Sequence, residues 1–253
     1  MVWNPATYLA FADERTRPAG ELLARVPDVA PARVVDLGCG PGNSTALLRS
    51  RWAQARIEGV DSSADMLTQA RKSGVEADWV EADVARWTAA EPYDVIFSNA
   101  TFQWLGDHAT LLPRLLGVVK AGGTFAFQVP HNMDAPSHVA MREAAAAGPW
   151  AAKLKTVREV AVQSPAAYYD ILSPHAAAVD IWETEYLHVL KGDDAVFHWV
   201  SGTGLRPFVQ ALAGGERDAF IADYKTRLNV AYPPRGDGTT LFPFKRLFAV
   251  ARR

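Results

Sequence analysis

The sequence predicts an α/β fold with a doubly wound, mostly parallel β-sheet. Through the first half of the chain, short apolar segments of strand length alternate with helical segments of about ten residues, which is typical of βαβ units. The glycine-rich stretch GCGPG follows the first of these apolar segments directly. With 253 residues, 49% of them hydrophobic, the chain can bury one large core or a core that carries an insertion.

Five strands are predicted in the first half of the chain, because five short runs there are rich in β-branched or aromatic residues. They span residues 33–38, 55–61, 77–83, 93–99 and 122–130. The helices that alternate with them span residues 43–52, 63–73 and 108–120. Right-handed crossovers between parallel strands then place helices on both faces of the sheet.

After Pro130 the regular alternation of short strands and helices ends. Residues 131 to 180 are predicted to be helical or irregular, and further helical segments at 193–204 and 215–232 lie between long strands at 180–190 and 241–253. Such a helical insertion indicates a cap beside the sheet, and the two long strands bring the predicted number to seven. We expect a single domain over residues 1–253, with an N-terminal helical segment (1–30), a ligand-binding core (31–130) and a helical cap (131–180 and 192–240).

The composition argues against several classes of function. The formal net charge is −2 and no long basic run occurs, so electrostatic capture of nucleic acid is not expected. A single cysteine, Cys39, excludes an internal disulfide and favours the cytoplasm. No uncharged stretch approaches the roughly 20 residues needed to cross a bilayer, and the first residues lack the apolar core of a signal peptide. The histidines show no metal-ligand spacing with a cysteine or an acid, so no metal is expected.

Three glycines, Gly38, Gly40 and Gly42, lie where the first strand turns into the first helix. Open parallel sheets bind ligands outside the carboxyl ends of their strands, where helix N-termini offer free N–H groups. A nucleotide-binding P-loop would carry a lysine after its glycines, and this turn has none; a dinucleotide site would have G-x-G-x-x-G, and the spacing here is G-x-G-x-G. S-adenosylmethionine fits better, because a glycine turn can approach it closely while a nearby acid, Asp36, favours its positive groups.

Two further acids lie at predicted strand ends. Asp61 ends the second strand, where its carboxylate can accept hydrogen bonds from both ribose hydroxyls, and Asp83 ends the third, where it can accept one from the adenine amino group. Either residue alone could equally be a helix cap. Together with the glycines, the acids predict an S-adenosylmethionine site. Cys39 is most simply a small buried filler.

The polar stretch SNATFQWL closes the fourth strand and is expected to lie where the sulfonium and the substrate meet. Trp104, within this stretch, is either a wall of the site or a core aromatic. The N-terminal segment is expected to fold over the cofactor through Tyr8 and Arg15, although Tyr8 and Phe11 could instead anchor a helix on the sheet. The predicted cofactor-binding residues are Tyr8, Arg15, Asp36, Gly38, Cys39, Gly40, Pro41, Asn43, Asp61, Ser62, Met66, Ala82, Asp83, Val84, Ser98, Asn99 and Ala100.

The glycine turn and the strand-end acids resemble those of class I S-adenosylmethionine-dependent methyltransferases. More narrowly, nearly the whole chain resembles the trans-aconitate 2-methyltransferase family, in segments that include DLGCGPGNSTALL, GVDSSADML, SNATFQWL, MREAA, YYDIL, TGLRPF and RLFAVARR. The resemblance implies a Rossmann-like seven-stranded sheet and methyl transfer from S-adenosylmethionine to a carboxylate of trans-aconitate, giving a monomethyl ester and S-adenosylhomocysteine. It also implies cofactor roles for Gly38, Gly40, Asp61 and Asp83.

Methylation of a carboxylate requires no general base, because the group is already ionised at neutral pH. We therefore predict positioning residues and no catalytic acid or base. A tricarboxylate substrate calls for cationic or hydrogen-bonding partners, and arginine forks suit carboxylates. The substrate-binding candidates are Trp104, His131, Tyr169, Arg206 and Arg246. The arginines could instead be solvated surface charges, and His131 an ordinary turn histidine.

Alternative functions stay open on the sequence alone. The chain could methylate another small acid, or it could be a non-catalytic regulator that binds S-adenosylmethionine. A nicotinamide oxidoreductase is a third alternative, which the glycine spacing weakens. We expect a monomer whose partner is a small tricarboxylate substrate.

Overall fold

The computed structural model describes residues 12–27, 30–157 and 162–253, with side chains from residue 16 onwards. The strands are β1 (Arg33–Leu37), β2 (Arg56–Asp61), β3 (Asp78–Glu81), β4 (Tyr93–Asn99), β5 (Val119–Pro130), β6 (Ala178–Lys191) and β7 (Thr239–Arg252). The α-helices are α1 (Ala12–Arg25), α2 (Asn43–Arg51), α3 (Ala64–Lys72), α4 (His108–Gly117), α5 (Pro136–Ala147), α6 (Ala151–Leu154), α7 (Pro165–Leu172), α8 (Ala195–Ser201), α9 (Arg206–Gln210) and α10 (Gly214–Ala231). Short 3-10 helices occur at Phe102–Trp104 and Ser173–His175.

The chain divides into two compact units. The first comprises residues 1–130, 161–184 and 246–253, and the second comprises residues 131–160 and 185–245. Residues 161–180, which the sequence assigns to the cap, therefore lie in the first unit. The function of the second unit as a substrate cap stays a prediction.

The seven strands form one sheet in the order β3-β2-β1-β4-β5-β7-β6. β1 to β5 are joined by parallel pairings, and β7 runs antiparallel to β5. The prediction of a doubly wound, mostly parallel sheet of seven strands is confirmed. Because the chain winds outward in opposite directions from β1 and β4, the carboxyl ends of these two neighbouring strands flank a crevice of the kind in which α/β sheets bind ligands.

The core of the first unit sits on the central strands. Val35 and Leu37 of β1 and Phe125 and Phe127 of β5 are fully buried. Phe102, in the 3-10 helix that follows β4, packs edge-on against both phenylalanines of β5, with ring centroids 5.9 and 5.3 Å away. Strands that are apolar on both faces are what a parallel sheet covered by helices requires.

The main difference from the predicted boundaries in the first unit lies between α4 and β5. The sequence predicts a helix to residue 120 and a strand from residue 122, whereas α4 ends at Gly117 and β5 begins at Val119. Val119 pairs with Tyr93 across the sheet, and the register of this pair then shifts before Val95. The strand prediction misses this irregular start because pairing to β4, rather than local periodicity, extends the strand.

The second unit is built from α5, α6 and α8 to α10 with the adjoining halves of β6 and β7. The hydroxyl of Tyr224 on α10 donates to the carbonyl of Ser137 on α5 at 3.0 Å, and the Ser137 N–H donates to the Tyr232 hydroxyl at 3.1 Å. Both tyrosines are buried, so these bonds fix the packing of α5 on α10 while satisfying buried polar groups. Among the described residues, no helix combines the length and the apolar character needed to cross a membrane.

Candidate cofactor site

The three glycines of the turn after β1 share a left-handed backbone but differ in what surrounds them. Gly38 has a φ of 75°, and a Cβ there would lie 2.0 Å from Oγ1 of Thr101. Gly40 has a φ of 54°, but a Cβ there would meet nothing within 4 Å, so its backbone faces open space. Gly42 has a φ of 95°, and its Cβ would lie 3.1 Å from the indole ring of Trp79. Only Gly40 therefore leaves room of the kind a ligand could use, while all three need a left-handed backbone.

Trp79 of β3 explains a fourth glycine. A Cβ at Gly59, in the neighbouring strand β2, would lie 2.5 Å from the Trp79 ring. The indole thus lies over two glycines that are distant in sequence, Gly42 and Gly59. The left-handed backbone and the close packing on Trp79 together account for the glycine at position 42.

Asp61, at the end of β2, ties the glycine turn to the start of α3. Its Oδ2 accepts from the N–H of Gly40 at 2.9 Å, and its Oδ1 accepts from the N–H of Ser63 at 2.9 Å. Burial raises the pKa of this carboxyl above its ordinary value, and the backbone N–H donors oppose that rise. The N-cap of α3 itself is Ser63, whose side chain accepts from Met66 N–H. Asp61 is therefore a turn-fixing residue with acceptor capacity left over for a ligand.

Asp83 follows β3 and accepts from the N–H of Ala85 at 2.9 Å through Oδ1. This bond supports the alternative in which Asp83 stabilises the turn after the strand. The residue also lines the cavity described below, so the two interpretations are compatible. Its contact with adenine stays a prediction.

The sequence predicts that Asp36 favours the positive groups of the ligand, whereas in the structure its carboxylate binds side chains of the fold. Its side chain is completely buried, and Oδ2 accepts from the hydroxyls of Ser44 and Thr45 at the start of α2, each at 2.7 Å. Burial raises the pKa of this carboxyl to about 6, against the opposing effect of the two hydroxyl donors. Because its carboxylate binds the first turn of α2 and does not line the cavity, Asp36 fixes the helix to the strand instead of facing a cationic ligand.

The segment after β4, which contains Ala100 and Trp104, forms a wall of the cavity described below. Ala100 adopts a φ of 55°, which is unusual for a residue other than glycine. Its N–H donates to the Gln128 carbonyl at 3.0 Å, and its own carbonyl accepts from Nε2 of Gln103 at 2.8 Å. Thr101 Oγ1 donates to the carbonyl of Gly38 at 3.2 Å, which joins the wall to the glycine turn. The hydrogen bonds hold a strained backbone in place beside the predicted ligand site.

These elements enclose a cavity of about 260 Å³ in the first unit, close to the lower end of the volumes found for small-ligand sites. Its lining residues are Gly38, Gly40, Pro41, Asp61, Ser62, Met66, Asp83, Val84, Asn99, Ala100, Thr101, Trp104 and Leu105. The structure thus brings together most of the predicted cofactor residues and places Trp104 in the wall. Thr101 and Leu105 lie in the stretch SNATFQWL, which is expected at the site, but neither residue is predicted individually. The contact of Thr101 with Gly38 joins residues far apart in sequence and carries no local signal.

Five predicted cofactor residues do not line this cavity: Asp36, Cys39, Asn43, Ala82 and Ser98. Ser98 is buried and donates to the carbonyl of Leu37 at 2.7 Å, which connects β4 to β1. Cys39 is buried beside Gly59, and burial raises the pKa of its thiol, as expected of a packed filler. Tyr8 and Phe11 lie outside the described residues, and Arg15 is described only as part of the α1 backbone.

The other substrate candidates are not among the residues that line this cavity. His131 lines a larger groove of about 770 Å³ within the second unit, where many of the neighbouring side chains are exposed. Arg206 begins α9 in the same unit, Tyr169 is exposed on α7, and Arg246 of β7 is only 4% exposed. The smaller cavity is the candidate cofactor site, because the glycine turn and the strand-end acids converge there. Within the described ranges, no group of three or more His, Cys, Asp or Glu side chains could hold a metal ion.

Comparison with known proteins identifies the family. Residues 34–123 match the family model described as a methyltransferase domain. The chain is 55% identical over 252 residues to a trans-aconitate 2-methyltransferase of Azoarcus sp. (strain BH72), with 99% of each chain covered. It is 50% identical over 251 residues to the protein of that name from Rhodopseudomonas palustris (strain HaA2), with 98% of each covered.

Solved structures agree on the fold. The YcgJ protein from Bacillus subtilis superposes with a TM-score of 0.60 at 15% identity, covering 94% of this chain and 98% of that one. A phosphoethanolamine N-methyltransferase of Haemonchus contortus, in complex with S-adenosyl-L-methionine, superposes with a TM-score of 0.55 at 16% identity, covering 93% of this chain and 52% of that one. The fold is that of the class I methyltransferases, and on sequence identity over nearly its full length the chain belongs to the trans-aconitate 2-methyltransferase family.

Proposed function

We propose that this protein transfers a methyl group from S-adenosylmethionine to a carboxylate of trans-aconitate, with the monomethyl ester and S-adenosylhomocysteine as products. The observation that carries the proposal is the identity of 55% and 50% to two relatives of that name, over nearly the full length of the chain. Because the aligned residues span both units, the likeness extends well beyond the glycine turn.

The residues around the cavity fit S-adenosylmethionine, which has an amino-acid end, a sulfonium, a ribose diol and an adenine ring. The open space beside Gly40 allows close approach of a ligand to the backbone. The carboxylate of Asp61 retains acceptor capacity beyond its two backbone bonds, as recognition of a diol requires. Met66, Val84 and Leu105 supply apolar lining of the kind that an adenine ring needs.

Methyl transfer to a carboxylate requires the protein to position the acceptor and does not require proton transfer. When bound, S-adenosylmethionine supplies a methyl group made electrophilic by the positively charged sulfur. The acceptor carboxylate is ionised at neutral pH, so no side chain has to remove a proton. The chain must therefore orient the acceptor oxygen, which can lower a barrier by up to roughly 7–11 kcal/mol. Trp104 and Leu105 contribute by giving the cavity an apolar wall that excludes water.

The proposal is tested by incubating the purified protein with S-adenosylmethionine and a panel of trans-aconitate, cis-aconitate, citrate and isocitrate. Mass spectrometry should detect the monomethyl ester of trans-aconitate and an equal amount of S-adenosylhomocysteine. Preferential methylation of another acid of the panel would change the assigned substrate but leave the assigned reaction, carboxyl methylation, in place. Binding of S-adenosylhomocysteine without methylation of any acid would favour the non-catalytic regulator.

We also propose that the protein works in the cytoplasm as a monomer, without a nucleic-acid or membrane partner. The single cysteine supports the cytoplasm, and the net charge of −2 argues against a nucleic-acid partner. Light scattering coupled to size exclusion tests the monomer directly, since 27.5 kDa and twice that mass are easily separated.

A further inference from the structure

Three polar side chains form a buried hydrogen-bonded chain that ends at the cofactor cavity. Nη1 of Arg246 on β7 donates to Oε1 of Gln128 on β5 at 3.4 Å. Nε2 of Gln128 donates in turn to Oδ1 of Asn99 on β4 at 2.7 Å. Gln128 is completely buried and Arg246 is only 4% exposed. Asn99 is half-buried and lines the cavity. All three residues belong to the first unit.

Arg246 determines the direction of every bond in this chain. A guanidinium has donors and no acceptor, so the Gln128 atom that faces it must be the amide oxygen. The amide nitrogen of Gln128 then faces Asn99, and the Asn99 atom that receives its proton must also be an oxygen. The side-chain amide of Asn99 could otherwise adopt either orientation. The charge of Arg246 fixes it, although the two residues are connected only through Gln128.

Because Oδ1 of Asn99 faces Gln128, its Nδ2 is left as a donor to a ligand in the cavity. Oδ1 is engaged by Gln128, and no described residue accepts a hydrogen bond from Nδ2 in the structure. We propose that Gln128 and Arg246 are positioning residues that hold Asn99 with its amide nitrogen toward the ligand, where it donates to a carboxylate. This inference rests on the proposed function, because it names a ligand group that the same cavity recognises.

A carboxylate is the group that fits this arrangement best. Nδ2 can only donate, and donors bind ionised acceptors more strongly than neutral ones. The positive charge of Arg246, buried at the other end of the chain, polarises the two amides in the direction that strengthens this donation. Two sources of the carboxylate exist in the proposed reaction: the amino-acid end of the cofactor and the tricarboxylate substrate.

Two variants test the inference, because each places an oxygen where Nδ2 of Asn99 would face the ligand. Gln128→Glu keeps an acceptor for Arg246 but cannot donate, so Asn99 must turn its nitrogen toward position 128 and its oxygen toward the ligand. Asn99→Asp keeps the acceptor for Gln128 and replaces the donor that faces the cavity by a carboxylate oxygen. Gln54→Glu, at an exposed position, is the matched control for the added charge. Melting temperatures show whether each variant folds, and Asn99→Asp leaves Gln128 and Arg246 intact if Gln128→Glu does not fold.

The measurements separate the two sources. If the carboxylate belongs to the cofactor, both variants bind S-adenosylhomocysteine about tenfold or more weakly by calorimetry. They then bind methylthioadenosine, which lacks the amino-acid end, as the wild type does. If the carboxylate belongs to the substrate, both nucleosides bind normally and the KM for trans-aconitate rises about tenfold or more, with a much smaller change in kcat. Either pattern supports the proposal.

Equal weakening of both nucleosides would mean that the variants only distort the cavity, and this result overturns the proposal. So does wild-type behaviour of Asn99→Asp in all three measurements. A failure of the proposed function looks different, because the wild-type protein would then methylate no acid of the panel. The binding of the two nucleosides would still report on Asn99 in that case.

Discussion

Replacing Asp36 by asparagine should stabilise the protein at neutral pH, although the aspartate is completely buried and accepts two hydrogen bonds. Burial raises its pKa from 3.8 to about 6. A carboxyl with a higher pKa in the folded state binds more protons when folded than when unfolded, so its contribution to stability is greatest below pH 3.8 and is lost as the pH rises to about 6. The full loss at pH 7 is about 3 kcal/mol, of which roughly half develops between pH 5 and 7.

Asparagine keeps the shape of the side chain and removes the titration. The hydroxyls of Ser44 and Thr45 can rotate to suit either amide atom, so the loss of hydrogen bonding is small. The difference in unfolding free energy between Asp36→Asn and the wild type should therefore grow in favour of the variant as the pH rises from 5 to 7. His138 in the second unit acts in the opposite direction, because burial lowers its pKa to about 4, so the wild-type curve alone is not diagnostic.

The assay is urea unfolding of both proteins at several values of pH from 5 to 7.5. Asp65→Asn, at an exposed position on α3, gives the baseline for the loss of a carboxylate. Parallel curves for the wild type and Asp36→Asn would refute the argument that Asp36 ionises at a cost inside the fold. Affinity for S-adenosylhomocysteine should stay within about twofold, since the side chain does not line the cavity; a loss of tenfold or more would favour a contact between Asp36 and the ligand.

Four further expectations concern the ligands. Asp61→Ala should weaken S-adenosylmethionine binding by about 1.5–3 kcal/mol in calorimetry, because it removes a charged acceptor and releases the Gly40 N–H; unchanged affinity would exclude Asp61 from the site. Gly40→Val should abolish binding, since a β-branched residue resists a φ of 54° and enters the open space; Gly20→Val, a change at another glycine with nothing within 4 Å of its Cβ, is the control for bulk. Single-turnover rates should be flat from about pH 7 to 9, and a titration in that window would implicate a proton-transferring residue, with His131 tested first. Arg206→Leu should reduce kcat/KM for trans-aconitate by about thirtyfold or more at constant S-adenosylhomocysteine affinity, and a change under twofold would remove it as a substrate contact.

The strand ends are the part of the site that the sequence predicts well. The alternation of apolar segments with helices is enough to assign Asp61 and Asp83 to the carboxyl edge of a parallel sheet. Both residues line the cavity, as do two of the three glycines. These positions follow from local pattern and chain direction, which the sequence contains.

Side-chain partners across strands are the part that the sequence does not predict. Asp36 looks like a ligand contact because it precedes the glycines, but its partners Ser44 and Thr45 are set by how α2 folds back on β1. The same limit applies to Gln128, whose bond to Asn99 depends on the register of β5 against β4. Where β4 and β5 pair, both strands are buried on both faces, so their sequences lack the apolar-polar alternation that would specify the register.

The packing of Trp79 has an evolutionary consequence. Its indole occupies the space that a Cβ would need at Gly59 and crowds the corresponding space at Gly42, so the three positions cannot change independently. An alanine at position 59 would be tolerated only in a lineage where residue 79 had already become smaller, and the reverse order of exchange would pass through a destabilised intermediate. Gly40, with open space beside it, is free of this coupling, whereas Gly42 combines a left-handed backbone with the contact to Trp79.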